Sequence, residues 1–278
     1  MSGCRGRSGR TGIAVAAALT ALLAYGSPAK ADDCYITEGG LPAQQTGHKT
    51  ISMASEFVDI VVGKNWVTVD CTFRFKNAGP ACVVRMGFPD EVNRSEEDEI
   101  RRMPEGSFRS FRSWVDGKPV ATKVIRASGD EDASDTLFWH EKRVQFPAHG
   151  EVVVRDRYVT NVCTYDGLAF WTNGTGYILH TGASWHGRIG KAVIKFTFRR
   201  KRMRGPFTLA HTNADGDDLG AAEDRAWMRH RRRIYYTGRT RPSTQGDTLT
   251  FKRANFRPSS DDDIMVFFDP TPFRSRRR

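Results

Sequence analysis

Val67-Thr68-Val69-Asp70-Cys71-Thr72-Phe73-Arg74-Phe75-Lys76 alternates apolar and polar side chains without a break. A period of two puts Val67, Val69, Cys71, Phe73 and Phe75 on one face of an extended chain and the polar set on the other, which predicts a half-buried β-strand. Asn77-Ala78-Gly79-Pro80 then interrupts the pattern, and Cys82, Val84, Met86 and Phe88 resume it, so the two runs read as a hairpin ending at Pro89. A second hairpin is predicted to turn at Asp116-Gly117, with Phe111, Ser113 and Val115 entering and Val120, Thr122 and Val124 leaving.

Outward from these hairpins, further strands are expected at Thr136 to Phe146, Glu151 to Cys163, Gly176 to Thr181, Lys191 to Phe198, Arg233 to Gly238, Thr248 to Phe256 and Asp263 to Phe268. Short strands rich in Val, Ile, Thr and aromatics place the chain in the all-β class, as β-sandwich-like antiparallel sheets with one or two short helices. One helix is predicted from Ser95, whose capping-box-like Glu96-Glu97-Asp98 follows, to about Met103 before Pro104. Leu219, Ala222, Ala226 and His230 keep the spacing of a second.

The organisation expected is a leader followed by one or two β-rich units. Arg5, Arg7 and Arg10 precede an apolar run from Ile13 to Tyr25, and Ala29-Lys30-Ala31 supplies the small residues of a signal-peptidase site. Residues 1–31 therefore read as a signal peptide cleaved near Ala31, and the protein as exported, either periplasmic or secreted. No second apolar run reaches the roughly 20 residues needed to span a bilayer as a helix, so no transmembrane segment is expected in the mature chain. A soft boundary near Arg200 to Pro206 divides a β-sandwich domain, residues 32–204, from a basic β-rich region, residues 205–278, that is either separate or part of the same domain.

Export changes the meaning of the cysteines. Cys34, Cys71, Cys82 and Cys163 remain after the leader, and an even number in an oxidising compartment reads as two disulfides, in any of three connectivities. No pair has the spacing of a zinc knuckle. The formal charge of +11 includes four basic residues before Ala31, leaving +7 for the mature chain. From Arg199 to Arg241 twelve Lys and Arg face five Asp and Glu, and the tail Arg274-Ser275-Arg276-Arg277-Arg278 is basic as well. Arg199, Arg200, Arg202, Arg231, Arg232 and Arg233 are thus candidates for holding an anionic envelope polymer, set against the plainer reading of a solvated, soluble face. Stacking aromatics are not interleaved with them, which argues against nucleic acid. Another envelope protein is the alternative partner.

Several motifs resemble a family of exported bacterial proteins, domain of unknown function 4424. They are Ile51-Ser52-Met53-Ala54-Ser55-Glu56, Phe75-Lys76-Asn77-Ala78-Gly79, Met86-Gly87-Phe88-Pro89 and the run from Tyr177 to Gly190. The resemblance covers Ile51 to Phe198 and implies an extracytoplasmic, mostly β domain without implying a chemistry.

Catalytic and metal signals are sparse. Gly182-Ala183-Ser184-Trp185-His186 misses a nucleophile elbow because His186 stands where the second Gly belongs. Trp185 and His186 are kept as binding candidates, since exposed aromatics stack on sugar rings, against the reading that they pack turns. Asn213, Asp215, Asp217 and Asp224 approximate a calcium loop, but Asp218 replaces its Gly, so a polar turn is preferred and no metal is expected. Walker and dinucleotide fingerprints are missing, so no cofactor is expected. Two function classes follow: a non-catalytic binding or envelope-associated protein, and a secreted hydrolase with a site near Tyr177 to Gly190.

Overall fold

The computed structural model describes residues 34–35, 48–93, 106–126, 135–166, 170–201, 203–212 and 232–272. The strands, in chain order, begin β1 (Cys34–Tyr35), β2 (Ile51–Val62), β3 (Trp66–Asn77), β4 (Cys82–Asn93), β5 (Ser110–Val115) and β6 (Lys118–Val120). They continue as β7 (Lys123–Arg126), β8 (Asp135–Phe146), β9 (Glu151–Asn161), β10 (Cys163–Asp166), β11 (Phe170–Tyr177) and β12 (Ile189–Phe198). The last are β13 (Thr208–His211), β14 (Arg233–Tyr236), β15 (Ser243–Gln245), β16 (Thr248–Phe256) and β17 (Ile264–Pro272). Helical structure among the described residues is confined to two 3-10 turns, His180–Ser184 and Ser260–Asp262. No described helix is long and apolar enough to cross a membrane. The all-β expectation holds. Both predicted helices, Ser95 to Met103 and Leu219 to His230, fall outside the described residues.

An eight-stranded sheet, in the order β15-β16-β12-β2-β3-β9-β5-β6, forms one layer. A four-stranded sheet (β1-β4-β8-β7) and a five-stranded sheet (β10-β11-β17-β14-β13) form the other. Pairing is antiparallel throughout except for β12 with β2 and β13 with β14. The predicted alternation of β3 is realised: Val67, Val69, Cys71, Phe73 and Phe75 are all at most 1% exposed. They belong to one core with residues of both opposing sheets. Phe88 of β4 lies 5.2 Å from Tyr158 of β9, and Phe268 of β17 lies 5.2 Å from Phe198 of β12. Strands from both sides of the Arg200 to Pro206 stretch share sheets, since β16 pairs with β12 and β17 with β11.

The first predicted hairpin is corrected. Strands β3 and β4 do not pair: β3 lies between β2 and β9, and β4 between β1 and β8 in the opposite layer. Asn77 explains the crossing. Its buried amide donates to the Pro80 carbonyl at 2.8 Å and the Pro147 carbonyl at 3.0 Å. Its oxygen accepts from Gly79 N–H at 2.9 Å and the Thr50 hydroxyl at 3.0 Å. A side chain that ties three loops together lifts the chain out of one sheet into the next, where a two-residue turn would have reversed it within the sheet. The second hairpin turns where expected, since Asp116 and Gly117 both take positive φ, 48° and 76°, between β5 and β6 as a type I′ turn requires, but its outgoing strand ends at Val120, and Val124 belongs to β7, which pairs with β8 in the four-stranded sheet.

The disulfide expectation is also corrected. No disulfide joins Cys71, Cys82 and Cys163, which lie in three different sheets. Cys34 sits in β1 opposite Gly87 of β4.

Polar groups between the layers are few and placed with care. Lys142 of β8 contacts Asp156 of β9 at 2.6 Å with both side chains fully buried. Glu56, on the inner face of β2, accepts the Tyr177 hydroxyl of β11 at 2.5 Å, while its second oxygen has no hydrogen-bond partner. Burial raises the Glu56 carboxyl to about 8, the Tyr177 hydrogen bond pulling the other way, so the acid is neutral at pH 7.

A raised carboxyl stabilises the fold fully below its unfolded value and loses that contribution as pH climbs through the folded one. Thermal denaturation from pH 5 to 9 should therefore show stability falling by a few kcal/mol, since each tenfold change in a proton equilibrium is worth about 1.4 kcal/mol. Glu56→Gln should flatten that profile, and an unaltered profile would refute the assignment. Lys142→Met should cost about 3–5 kcal/mol in urea unfolding by stranding the Asp156 charge, most of it recovered when Asp156→Leu is added.

Candidate functional site

Four cations converge where β2 and β12 end together. Phe198 closes β12 in the core, and the next residue, Arg199, still donates its N–H to the Val62 carbonyl at 2.8 Å, extending the parallel ladder. Beyond that point the Arg200 guanidinium donates to the Gly63 carbonyl at 3.2 Å and the Lys64 carbonyl at 2.8 Å in the β2–β3 turn. Its other nitrogen reaches Asp269 Oδ2 of β17 at 3.0 Å, and the group lies 5.2 Å over the Phe268 ring. Arg200 and Asp269 keep only 11% and 14% of their side-chain surface exposed. Asp269 has a φ of 50°, and its carbonyl is held by the Asn173 amide at 3.1 Å. Arg200 thus fastens one layer's turn to the other layer's strand.

Around this fastening lies a cleft of about 630 Å³ lined by Lys64, Arg199, Arg200, Lys201 and Asp269. One carboxylate against four cations leaves a formal excess of three positive charges among the described lining residues. Arg200 spends its donors on carbonyls and Asp269, so a ligand would meet the exposed Lys64, Arg199 and Lys201. Such a wall attracts anions through Coulomb forces that salt screens. Arg204 stands apart, paired with Asp247 at 2.7 Å. The Gly205 N–H first, and then the Arg204 guanidinium, hold the Asp247 carboxyl below the usual range.

The other candidates from the sequence are scattered. Arg202 and Arg231 lie outside the described residues. Arg232 is exposed, and Arg233 opens β14, whose antiparallel pairing with β17 carries it toward Asp269. Trp185 is corrected: it is 2% exposed and packs 4.6 Å from Phe75, so it fills the core and offers no stacking surface. His186 is exposed, and its backbone N–H is bound to the Ile51 carbonyl. Burial, and then the charge of His186, keep His48 low, so its imidazole accepts the Thr50 and Ile51 N–H groups through Nδ1. Ser184 is 1% exposed, and Tyr177 is wholly buried. The stretch from Tyr177 to Trp185 therefore packs its serine away from solvent, while His186, Gly187 and Arg188 after it are exposed. No His, Cys, Asp and Glu cluster suited to a metal occurs among the described residues. The calcium-like Asn213 to Asp224 loop lies outside them.

Lys64 and Asp269 are not among the residues singled out by charge runs or motifs. The Gly63-Lys64-Asn65 turn is a usable signal for the first, once β2 is recognised as a strand.

No protein-family model matches the chain, and no curated protein matches it in sequence. Among solved structures it is similar to a provisionally named nutrient-binding protein of Legionella pneumophila, with a TM-score of 0.56 and 17% identity over 88% of this chain and 72% of that one. It is also similar to a variant M1 zinc metallopeptidase of Deinococcus radiodurans, with a TM-score of 0.36 and 9% identity over 80% of this chain and 43% of the other. Identity this low, with the higher TM-score of the first, shows a shared fold.

Arg200→Ala should cost about 1–3 kcal/mol in urea unfolding, since it takes charge-assisted hydrogen bonds from the largely buried Asp269 carboxylate and from the Gly63 and Lys64 carbonyls. Arg199→Ala removes an exposed side chain and should stay within about 0.5 kcal/mol of the parent.

Proposed function

We propose that this is an exported, non-catalytic binding protein of β-sandwich build that holds an anionic envelope polymer in the cleft of Lys64, Arg199, Arg200 and Lys201. The single observation that carries the reading is the geometry of that cleft: Arg200 is spent on fixing the wall, and three exposed cations face outward from it. The leader-like residues 1–31 support export to the periplasm or beyond, and the ordered motifs from Ile51 to Phe198 support membership of the domain of unknown function 4424 family. The fold likeness to a protein named for nutrient binding supports binding over catalysis. The burial of Ser184 speaks against a hydrolase near Tyr177 to Gly190 that uses this serine, while His186 of that segment stays exposed.

Retention of the mature protein on a heparin column should fall steeply between about 50 and 300 mM NaCl, because exposed charges more than a Debye length apart are screened across that range. Lys64→Ser with Arg199→Ser and Lys201→Ser should elute at clearly lower salt, with an unchanged melting temperature. Equal elution of parent and triple variant would overturn the cleft as the binding surface.

A further inference from the structure

A second cavity, of about 670 Å³, opens where β17 starts, lined by Ile178, Arg239, Asp261, Asp263 and Ile264 among others. Its charges are matched to one another. Arg239 pairs with Asp261, and the Asp263 carboxylate accepts Leu179 N–H at 2.8 Å and His180 N–H at 3.0 Å beside the His180 imidazole at 2.7 Å. Uncompensated charge lies instead on the outer face of the eight-stranded sheet.

Inward and outward residues alternate along these strands, and the outward set includes Asp70 on β3, Arg155 and Arg157 on β9 and Arg112 on β5. Register sets them side by side: Arg157 is directly opposite Asp70 on one flank and Arg112 on the other. Asp70 is the nearest carboxylate in register with Arg157, yet Arg155 takes it, through Nε at 2.7 Å and a terminal nitrogen at 2.5 Å. Arg155 is itself held 5.3 Å over the Trp114 ring. Asp59 and Glu151, on the same face, are met by Lys195 at 4.0 Å and Arg74 at 3.8 Å. Arg112 and Arg157 are both exposed and have no hydrogen-bond or ion-pair partner among the described residues. Like charges directly opposite each other weaken a sheet, and a local rule broken within otherwise consistent strands is the mark of a functional place. Two guanidinium groups in fixed register suit an oxyanion, which accepts their parallel donors.

The pair is continuous with the cationic cleft. Lys64 of the cleft stands two residues before Trp66, which faces outward at the start of β3 and is 38% exposed. Arg109, exposed just before β5, reaches across β9 and lays its guanidinium 3.1 Å from the centroid of that ring. Stacking on a ring face leaves the in-plane N–H donors of an arginine open to anions. Trp66 is paired with Asn161, and Arg157 lies four residues along β9 from it, so the path from Trp66 to Arg157 is about 13 Å along the strands and about 5 Å across them.

We propose that a single linear polyanion is gripped twice by this protein: once in the cleft, and again, after passing Arg109 on Trp66, by Arg112 and Arg157. This rests on the reading of the cleft as a polymer site, and it specifies the ligand as a chain long enough to cover both places. Joining the two contacts through one chain makes the second intramolecular, so each strengthens the other without new contacts.

Calorimetric titration of the mature protein with a heparin dodecasaccharide at one fixed salt concentration tests it. One oligosaccharide should bind per protein. Arg112→Ser with Arg157→Ser should weaken binding at least about tenfold without changing that stoichiometry, and should leave the melting temperature unchanged or raised, since the repulsion between the two is relieved. Lys191→Ser with Lys252→Ser removes the same charge from exposed positions of β12 and β16 on the same face; screened and off the path, it should weaken binding less than about threefold. Equal losses for the two double variants, or two oligosaccharides per parent protein, would overturn the double grip. Failure of the cleft itself reads differently: Lys64→Ser with Arg199→Ser and Lys201→Ser would then bind the dodecasaccharide as the parent does, which removes the cleft and the double grip with it. A thymidine dodecamer bound more tightly than the oligosaccharide, with that preference abolished by Trp66→Ala, would make the face a base-stacking platform and would also overturn the assignment.

Discussion

The eight-stranded sheet offers a single continuous apolar face, and neither of the smaller sheets is wide enough to cover it. Two sheets must therefore dock side by side, one over β3, β9 and β5, the other over β2, β12 and β16, and the chain must cross between layers repeatedly to build them. Each crossing interrupts a hydrogen-bond ladder, and the interrupted groups have to find partners elsewhere. Asn77 meets that need at the crossing from β3 to β4, supplying two donors and accepting twice.

The inter-layer polar contacts follow from the same docking. Apolar packing alone leaves a sandwich free to slide by a residue pair along the strands, because one inward Val or Phe substitutes readily for the next. Lys142 against Asp156 fixes β8 over β9, and Glu56 against Tyr177 fixes β11 over β2. Asp90 does the same for the loop before β5, accepting the Ser107 hydroxyl at 2.5 Å and Phe108 N–H at 3.0 Å. Buried ion pairs are weak sources of net stability; at these places their contribution is to make one register cheaper than its neighbours.

How much of this is legible in the sequence depends on which signals are local. Alternation in β3 is local and reads correctly, as does the Asp116-Gly117 turn. Strand β2 escapes the same reading because its alternation is spoiled on both faces: Phe57 and Val61 point outward at 40% and 37% exposure, while the ionisable Glu56 points in. The Asn77 to Pro80 stretch has the composition of a hairpin turn, and only the Thr50 and Pro147 partners, distant in sequence, make it a crossing. The Arg199 to Arg202 run is visible as charge, yet nothing local separates Arg200, which is structural, from Arg199, which is exposed. Trp185 and His186 are neighbours in sequence with opposite environments, because strand-like and turn geometries send adjacent side chains to opposite sides.

Both cavities arise where strands run out, and the reason is the same at each end. At the finish of β2 the free carbonyls of Gly63 and Lys64 are taken up by Arg200, and at the finish of β11 the N–H groups of Leu179 and His180 are taken up by Asp263. Each capping side chain flanks a different strand than the one it caps, Arg200 following β12 and Asp263 preceding β17, so it spans the gap between them. The chemistry of the gap is then set by what neutralises the cap. Arg200 has only Asp269 among four lining cations, which leaves the first cleft positive. Asp263 is contacted by the His180 imidazole, and the Arg239–Asp261 ion pair stands at the same rim, so the second cavity carries no cationic excess among its described lining residues. Strand β17 supplies Met265 to one and Asp269 to the other, about 13 Å apart at the rise of an extended chain. The two cavities are thus carried on one strand, and the cationic one is the one with the cationic cap.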